Sequence, residues 1–137
     1  MPYKRRRGTA IVETEKGILV TAGRRKIFLL PGGGASRNES RMQATIRELK
    51  EETGLEPYFA MALFRFRGPQ HKTHQDHHTV YYIKAQGKAR PRHEIKYIAY
   101  YKPYSTVRVS SPTKEVLDKF YRFKQKHKDL FNKLNRL

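Results

Sequence analysis

Apolar positions along the chain come in short blocks, and the spacing inside each block predicts what it forms. GTAIVETE (residues 8–15) and GILVTA (17–22) are apolar runs split by Lys16-Gly17, the pattern of a hairpin. Ile27 to Leu30 is a further short strand, stopped by Pro31-Gly32-Gly33-Gly34. Three glycines behind a proline predict a loop rather than regular structure, with backbone that a ligand can approach closely. From residue 40 to 53 the period changes. Met42, Ile46, Leu49 and Thr53 fall at i, i+4, i+7 and i+11, the buried stripe of an amphipathic helix. Ser40 with Gln43 fits a capping box, and Ser36 with Glu39 offers a competing start. Gly54 suits the left-handed position that ends a helix.

Strands are predicted at residues 57–67, 79–86 and 95–102, separated by a polar loop (68–78) and a basic one (87–94). An irregular segment, 103–112, leads into one long helix from Thr113 on. There Val116, Phe120, Phe123, His127, Leu130, Leu134 and Leu137 alternate spacings of four and three, a seam with one polar member. From Val116 to Leu137 such a helix runs about 32 Å at 1.5 Å per residue, long for a small domain. Its front half is expected to cover the chain's own sheet. The back half either makes a homodimer through the C-terminal helix or breaks near His127 to Asp129 and folds back. Strands, a helix, more strands and a terminal helix predict a mixed α/β sandwich, and 137 residues suit a single domain, 1–137.

Charge narrows the chemistry. There are 30 Lys+Arg against 12 Asp+Glu, a net +18, so the expected partner or substrate is polyanionic. The lack of cysteine excludes disulfides and thiolate zinc sites. No apolar run approaches the about 18 residues of a membrane span. The basic start, Met1 to Arg7, has no apolar stretch behind it of the kind an export signal needs, so the expected location is cytoplasmic. Against this positive background, Glu39, Glu48, Glu51 and Glu52 crowd into residues 33–55. Glu48 and Glu52 are i and i+4 on one helix face, with Glu51 flanking it. Like charges within one turn repel, and a hard divalent cation with oxygen ligands turns that repulsion into binding. Arg47 can hold a glutamate in place through a bidentate pair. A solvated face pairing with Lys50 and Arg47 is the plainer reading. Gly33, Glu39 and Gly54 standing in register with the glutamates count against it.

The segment GGASRNESRMQATIRELKEETGL, from Gly33 to Leu55, resembles the Nudix box, with every fixed position filled. Its lead-in, Phe28-Leu29-Leu30-Pro31-Gly32-Gly33, is similar to the family's as well, with Phe28 where tryptophan is common and Asn38 where glycine often precedes the first glutamate. The resemblance covers the whole chain. It implies an α/β/α sandwich with a mixed sheet, a catalytic Nudix-box helix and a long C-terminal helix. It also implies hydrolysis of a phosphoanhydride in a nucleoside diphosphate linked to another group, X. Mg²⁺ or Mn²⁺ would be held by Glu48, Glu51 and Glu52, assisted by Glu39 and the Gly32 carbonyl. In such chemistry the cation neutralises diphosphate oxygens and acidifies a water, while a glutamate takes the proton. Glu48 and Glu94 are the candidates for that base.

Weaker signals surround this core. His71, His74, His77 and His78 share one stretch, read as solvated loop or substrate contact before a metal site. Arg5-Arg6-Arg7, Arg24-Arg25-Lys26 and Lys88-Arg90-Arg92 are three basic groups, and tyrosines on the strands can stack on a base. The candidates for substrate contact are Arg5, Arg7, Arg24, Phe28 and Tyr82. The net charge also admits a different class of function, an RNA-binding or RNA 5′-end-processing protein on the same fold.

Overall fold

In the computed structural model, which describes residues 3–137, two sheets occupy the middle of the molecule. The larger follows the order β4-β1-β6-β5, from β4 (Gly32–Gly34), β1 (Tyr3–Ile11), β6 (His74–Gln86) and β5 (Glu56–Gln70). β1 and β6 run parallel and the other neighbours antiparallel, so the sheet is mixed. The smaller joins β2 (Glu13–Thr14), β3 (Gly17–Ala22) and β7 (Tyr97–Tyr101) in antiparallel order. Consecutive residues of β1, β3 and β6 alternate between two cores, because side chains in a strand point to opposite faces. Ile11, Ile18, Val20, Val80 and Tyr82 pack with Phe120 of α2 (Ser111–Lys126) and Phe131 of α3 (Lys128–Leu134). Ala10, Leu19, Tyr81 and Ile83 pack with Leu49 of α1 (Arg41–Thr53). Both faces are thus apolar and covered by helices, giving the α/β/α sandwich. Among the described residues, no helix is long and apolar enough to cross a membrane.

α1 starts as its sequence predicts. Ser40 Oγ accepts from the Gln43 amide at 3.0 Å, and Gln43 Oε1 accepts from the Ser40 amide at 2.8 Å. Gly54 ends the helix at φ 77°. The rival pair, Ser36 and Glu39, makes a separate turn just before it. The buried face is Ala44, Thr45, Leu49, Glu52 and Thr53, rotated from the predicted stripe, so that Ile46 is only half-buried. Small residues at 44 and 45 let the helix lie directly on β1. A Cβ at Gly8 would collide with Thr45 Oγ1 and the Arg41 carbonyl.

Elsewhere the elements differ from expectation. The hairpin is confined to β2 and β3, while β1 leaves it to pair with β4 and β6. Residues 27–30 make only isolated bridges, Leu29 to Thr21 and Phe28 to Val109. The glycine run is not a loop: Gly32, Gly33 and Gly34 pair with Thr9, Gly8 and Arg7. Gly32 lies at φ 147°, a conformation that side chains rarely adopt. The polar loop shrinks to residues 71–73, because β5 and β6 extend through positions too polar to read as strand.

The long C-terminal helix is broken. His127, at φ −125° and ψ 46°, separates α2 from α3. Phe131 then turns inward, fully buried, its ring edge-on to Tyr82 at 5.2 Å and to Phe120 at 5.7 Å. Burying Phe131 and Leu134 is worth about 1.5–3 kcal/mol each, more than a continuous helical turn provides. The residues that suggested a homodimer are therefore covered by the chain's own core, and of them Leu137 is left exposed. That assembly loses its basis.

Candidate active site

α1 carries four of the charged groups and β4 provides their floor. A Cβ at Gly33 would sit 2.7 Å from Glu48 Cδ, so only glycine lets this carboxylate lie against the sheet edge. One turn on, Glu52 is buried, and its Oε1 accepts from the Gly32 amide at 3.1 Å. Burial lifts its carboxyl to about 8, opposed by that amide and raised further by Glu48 and Glu94. Glu94 comes from the loop before β7. The Arg90 amide donates to the Thr53 carbonyl at 2.9 Å and the Arg92 amide to the Glu52 carbonyl at 3.1 Å, which pins the loop to the end of α1. His93, at φ 55°, turns the chain there. Carboxylate oxygens of Glu48, Glu52 and Glu94 lie within 4.8 Å of one another.

Arg47 organises the other glutamates. It binds Glu39 through two bonds, Nε to Oε2 at 2.7 Å and Nη2 to Oε1 at 3.0 Å. Its Nη1 donates to Glu48 at 2.9 Å and Glu51 at 3.4 Å. The pair with Arg47 holds the Glu39 carboxyl down at about 2. Glu51 lies outside the three-carboxylate cluster, half-exposed beside Arg47. Glu48 is thus the shared member, held by Arg47 on one side and facing Glu52 and Glu94 on the other.

Glu52 and Glu94 stand at the wall of a cleft of about 640 Å³. Along its floor, alternate residues of β1 and β6 supply Arg5, Arg7, Thr9, Asp76 and His78, while Leu29 and Phe66 add apolar surface. Arg5 grips Asp76 through two hydrogen bonds, and Arg7 approaches the same carboxylate at 3.8 Å. Burial, then Arg7, pushes the His78 imidazole down to about 4. It is therefore neutral at physiological pH, and its Nδ1 meets Thr9 Oγ1 at 2.8 Å.

Of the residues expected to touch substrate, Arg5 and Arg7 line this cleft. Three do not. Arg24 is exposed on the turn after β3, Phe28 packs against the α2 side of the core, and Tyr82 is buried with its hydroxyl donating to Glu13 at 3.0 Å. Tyr82 faces inward because it shares a strand face with Val80, where α2 and α3 seal the core. Asp76, Leu29 and Phe66 were missed, while His78, read only as one of a stretch of loop histidines, lines the cleft from β6. Alternation back from Tyr82 through Val80 would have found His78 and Asp76, had β6 been extended to its true start. His71 also lines the cleft, with its ring 4.7 Å from that of His74.

Residues 2–128 match the NUDIX domain family. The chain is a Nudix hydrolase. A crystal structure assigned to this family from Chromobacterium violaceum is 36% identical, with 96% of this chain and 88% of that one covered at a TM-score of 0.81. A UDP-X diphosphatase structure shares the fold at 20% identity and TM-score 0.76, over 93% of this chain and 66% of that one. So does an ADP-ribose pyrophosphatase from Streptococcus suis, at 17% identity and TM-score 0.62, over 80% of this chain and 81% of that one. No curated protein matches in sequence. This Nudix hydrolase is a pyrophosphohydrolase by family, with the box helix, its glycine floor and its glutamates as described above.

Proposed function

We propose that this Nudix hydrolase cleaves the phosphoanhydride bond of a nucleoside diphosphate linked to a second group, with Mg²⁺ or Mn²⁺ as cofactor. The observation that carries the proposal is the convergence of Glu48, Glu52 and Glu94 at one end of a cleft whose floor carries Arg5 and Arg7. The donor set fits a hard cation. All three donors are carboxylate oxygens, and no arginine or lysine forms an ion pair with Glu52 or Glu94 among the described residues. Ligand oxygens around Mg²⁺ stand about 3–4 Å apart, which rotamer adjustment reaches from a spread of 4.8 Å. Glu48 and Glu52 would hold the ion, with Glu51 and Glu39 adjoining and the Gly32 backbone beside Glu52. When bound, it would neutralise diphosphate oxygens and make a water easier to deprotonate.

The protein's own groups supply the rest. Arg7, which reaches Asp76 at 3.8 Å and lines the cleft with Glu52, is placed to hold a phosphate oxygen. The neutral His78, Thr9 and the walls of Leu29 and Phe66 can receive a nucleoside. Glu94 is exposed and engaged in none of the side-chain bonds that hold Glu39, Glu48 and Glu51, so it is our choice for the base. It takes a proton from the attacking water. The water oxygen bonds to one phosphorus, the bridging P–O bond breaks, and the departing phosphate keeps the electron pair. Arg47 acts at one remove, as the residue that positions Glu48.

The fold neighbours named for UDP-X and ADP-ribose suggest a first panel: UDP-linked and ADP-linked sugars, then other nucleoside diphosphate derivatives. Products are separated by ion-exchange chromatography with and without Mg²⁺. Glu52→Gln should lower kcat about a hundredfold or more with the fold intact, and Glu94→Gln should lower kcat about a hundredfold with KM nearly unchanged. Metal-independent cleavage, or normal turnover by Glu52→Gln, refutes the proposal.

A further inference from the structure

On the α1 side of the larger sheet, cross-strand partners line up in rows. Arg6, His77 and Arg67 form one row, and Gly8, Thr79 and Arg65 the next. The first turn of α1 crosses the second row at Gly8 and brings Arg41 over the first. There its Nε donates to the His77 carbonyl at 3.2 Å. The result is an open cleft of about 520 Å³ lined by Arg6, Arg41 and Arg65 with Ser40, Thr79 and Tyr81. None of these residues lines the hydrolytic cleft.

Neutral partners orient two of these guanidinium groups. Arg6 Nη2 donates to the Glu39 carbonyl at 2.6 Å, as Arg41 does to that of His77. A carbonyl fixes the direction of a guanidinium without cancelling its charge. None of Arg6, Arg41, Arg65 and Arg67 forms an ion pair among the described residues. The contrast with other arginines is sharp. Arg5 and Arg7 meet Asp76 on the opposite face of the same strands, and Arg47 is surrounded by three glutamates. His77 registers the surplus. Burial, then Arg67, Lys4 and Arg41, holds its imidazole below the usual range, against the pull of Asp76.

We propose that this face holds consecutive phosphates of a nucleic-acid strand, at a site separate from the hydrolytic cleft. Residues on one face of a strand repeat about every 6.6 Å and neighbouring strands lie about 4.8 Å apart. The cations from Arg6 across to Arg67 and Arg65 therefore cover an area wider than one phosphate. Guanidinium forks match phosphate oxygens in pairs, and the Ser40 and Thr79 hydroxyls add neutral donors.

The test uses the full chain and a short fluorescent 5′-hydroxyl oligoribonucleotide, which contains no diphosphate bond. Fluorescence anisotropy is followed across a salt series. Arg65→Gln with Arg41→Gln should raise Kd about tenfold or more and flatten the log Kd against log salt slope by about 0.7 per lost contact. Melting temperature and hydrolysis of a small nucleotide substrate should stay unchanged. Arg24→Gln with Arg25→Gln, which removes an equal charge from a distant turn, should leave Kd within about twofold. Inorganic diphosphate should compete only far above its concentration equivalent of bound strand. Wild-type binding by the Arg41 and Arg65 variant, or an equal loss in the Arg24 and Arg25 control, overturns the site. Diphosphate binding as tight as the strand's overturns its assignment to a chain of phosphates.

Discussion

Glu52 should make the metal-free protein less stable as pH rises. Its side chain is buried, and burial first, with Glu48 and Glu94 reinforcing it against the Gly32 amide and Arg7, lifts the carboxyl from 4.5 to about 8. Between those values the folded chain holds a proton that the unfolded chain has released. Each pH unit in that window removes about 1.36 kcal/mol of folding free energy. His78 acts in the opposite sense but at lower pH. Burial, then Arg7, pushes it from 6.5 to about 4, so its contribution grows up to pH 6.5 and is then constant. His74 and His77, lowered for the same first reason, are finished by that point too. Above pH 6.5 the Glu52 effect stands clear. From there to pH 8 the loss is roughly 2 kcal/mol, or about 6–10 °C in Tm for a domain of this size. Calorimetry in chelator should show the fall. Saturating Mg²⁺ should remove most of it, because a cation takes the place of the proton. Glu52→Gln, which cannot ionise, should melt at nearly constant temperature across the window. A chelated wild-type protein whose Tm is flat or rising from pH 6.5 to 8 refutes the reasoning, as does a Glu52→Gln curve that falls as steeply.

Phe131→Ala should cost about 3–5 kcal/mol in urea unfolding, since it empties the junction of Tyr82, Phe120 and Phe123. A loss under about 1 kcal/mol would mean that α3 is not part of the core. Gly33→Ala should leave Tm within a few degrees yet lower kcat about tenfold to a hundredfold. Its Cβ would start 2.7 Å from Glu48 Cδ, forcing that carboxylate to move by about 0.7 Å. Unchanged kcat would remove Glu48 from the machinery.

The readability of the sequence tracks how local each signal is. Ser40, Gln43 and Gly54 act within one helix, so α1 could be bounded to the residue. The glutamates of the box were legible for the same reason, since helical spacing alone puts Glu48 and Glu52 together. Its buried face was not, because the closeness of Ala44 and Thr45 to Gly8 is a tertiary fact and hydrophobicity favoured Ile46. The glycine strand was missed because pairing with β1 overrides the local preference of glycine for turns. β5 and β6 were cut short at their polar ends, and that one error hid Asp76 and the strand face that carries His78. Glu94 could be nominated only through the resemblance to the family, not from any local pattern. Its distance from Glu48 depended on backbone bonds from Arg90 and Arg92 to α1 that no local pattern encodes. At His127 the seam allowed a continuous helix as well as the break near His127 to Asp129, because a helical period persists through a kink. The break becomes necessary only once Tyr82 is known to face the same core.

The inward turn of α3 also bears on how the chain is made. β1 pairs with β6, some seventy residues later, and the core beneath Tyr82 is completed by Phe131 and Leu134 alongside Phe120. A ribosome-bound nascent chain can cap α1 early, but it cannot complete the α2 side of its core until Phe131 and Leu134 have cleared the exit tunnel. That core should therefore close in one late, cooperative step rather than by stepwise accretion, with apolar Tyr82 and Phe120 presented to chaperones until then. A message truncated shortly before Phe131 would still encode every glutamate of the site, on a body that quality control should recognise as unfinished.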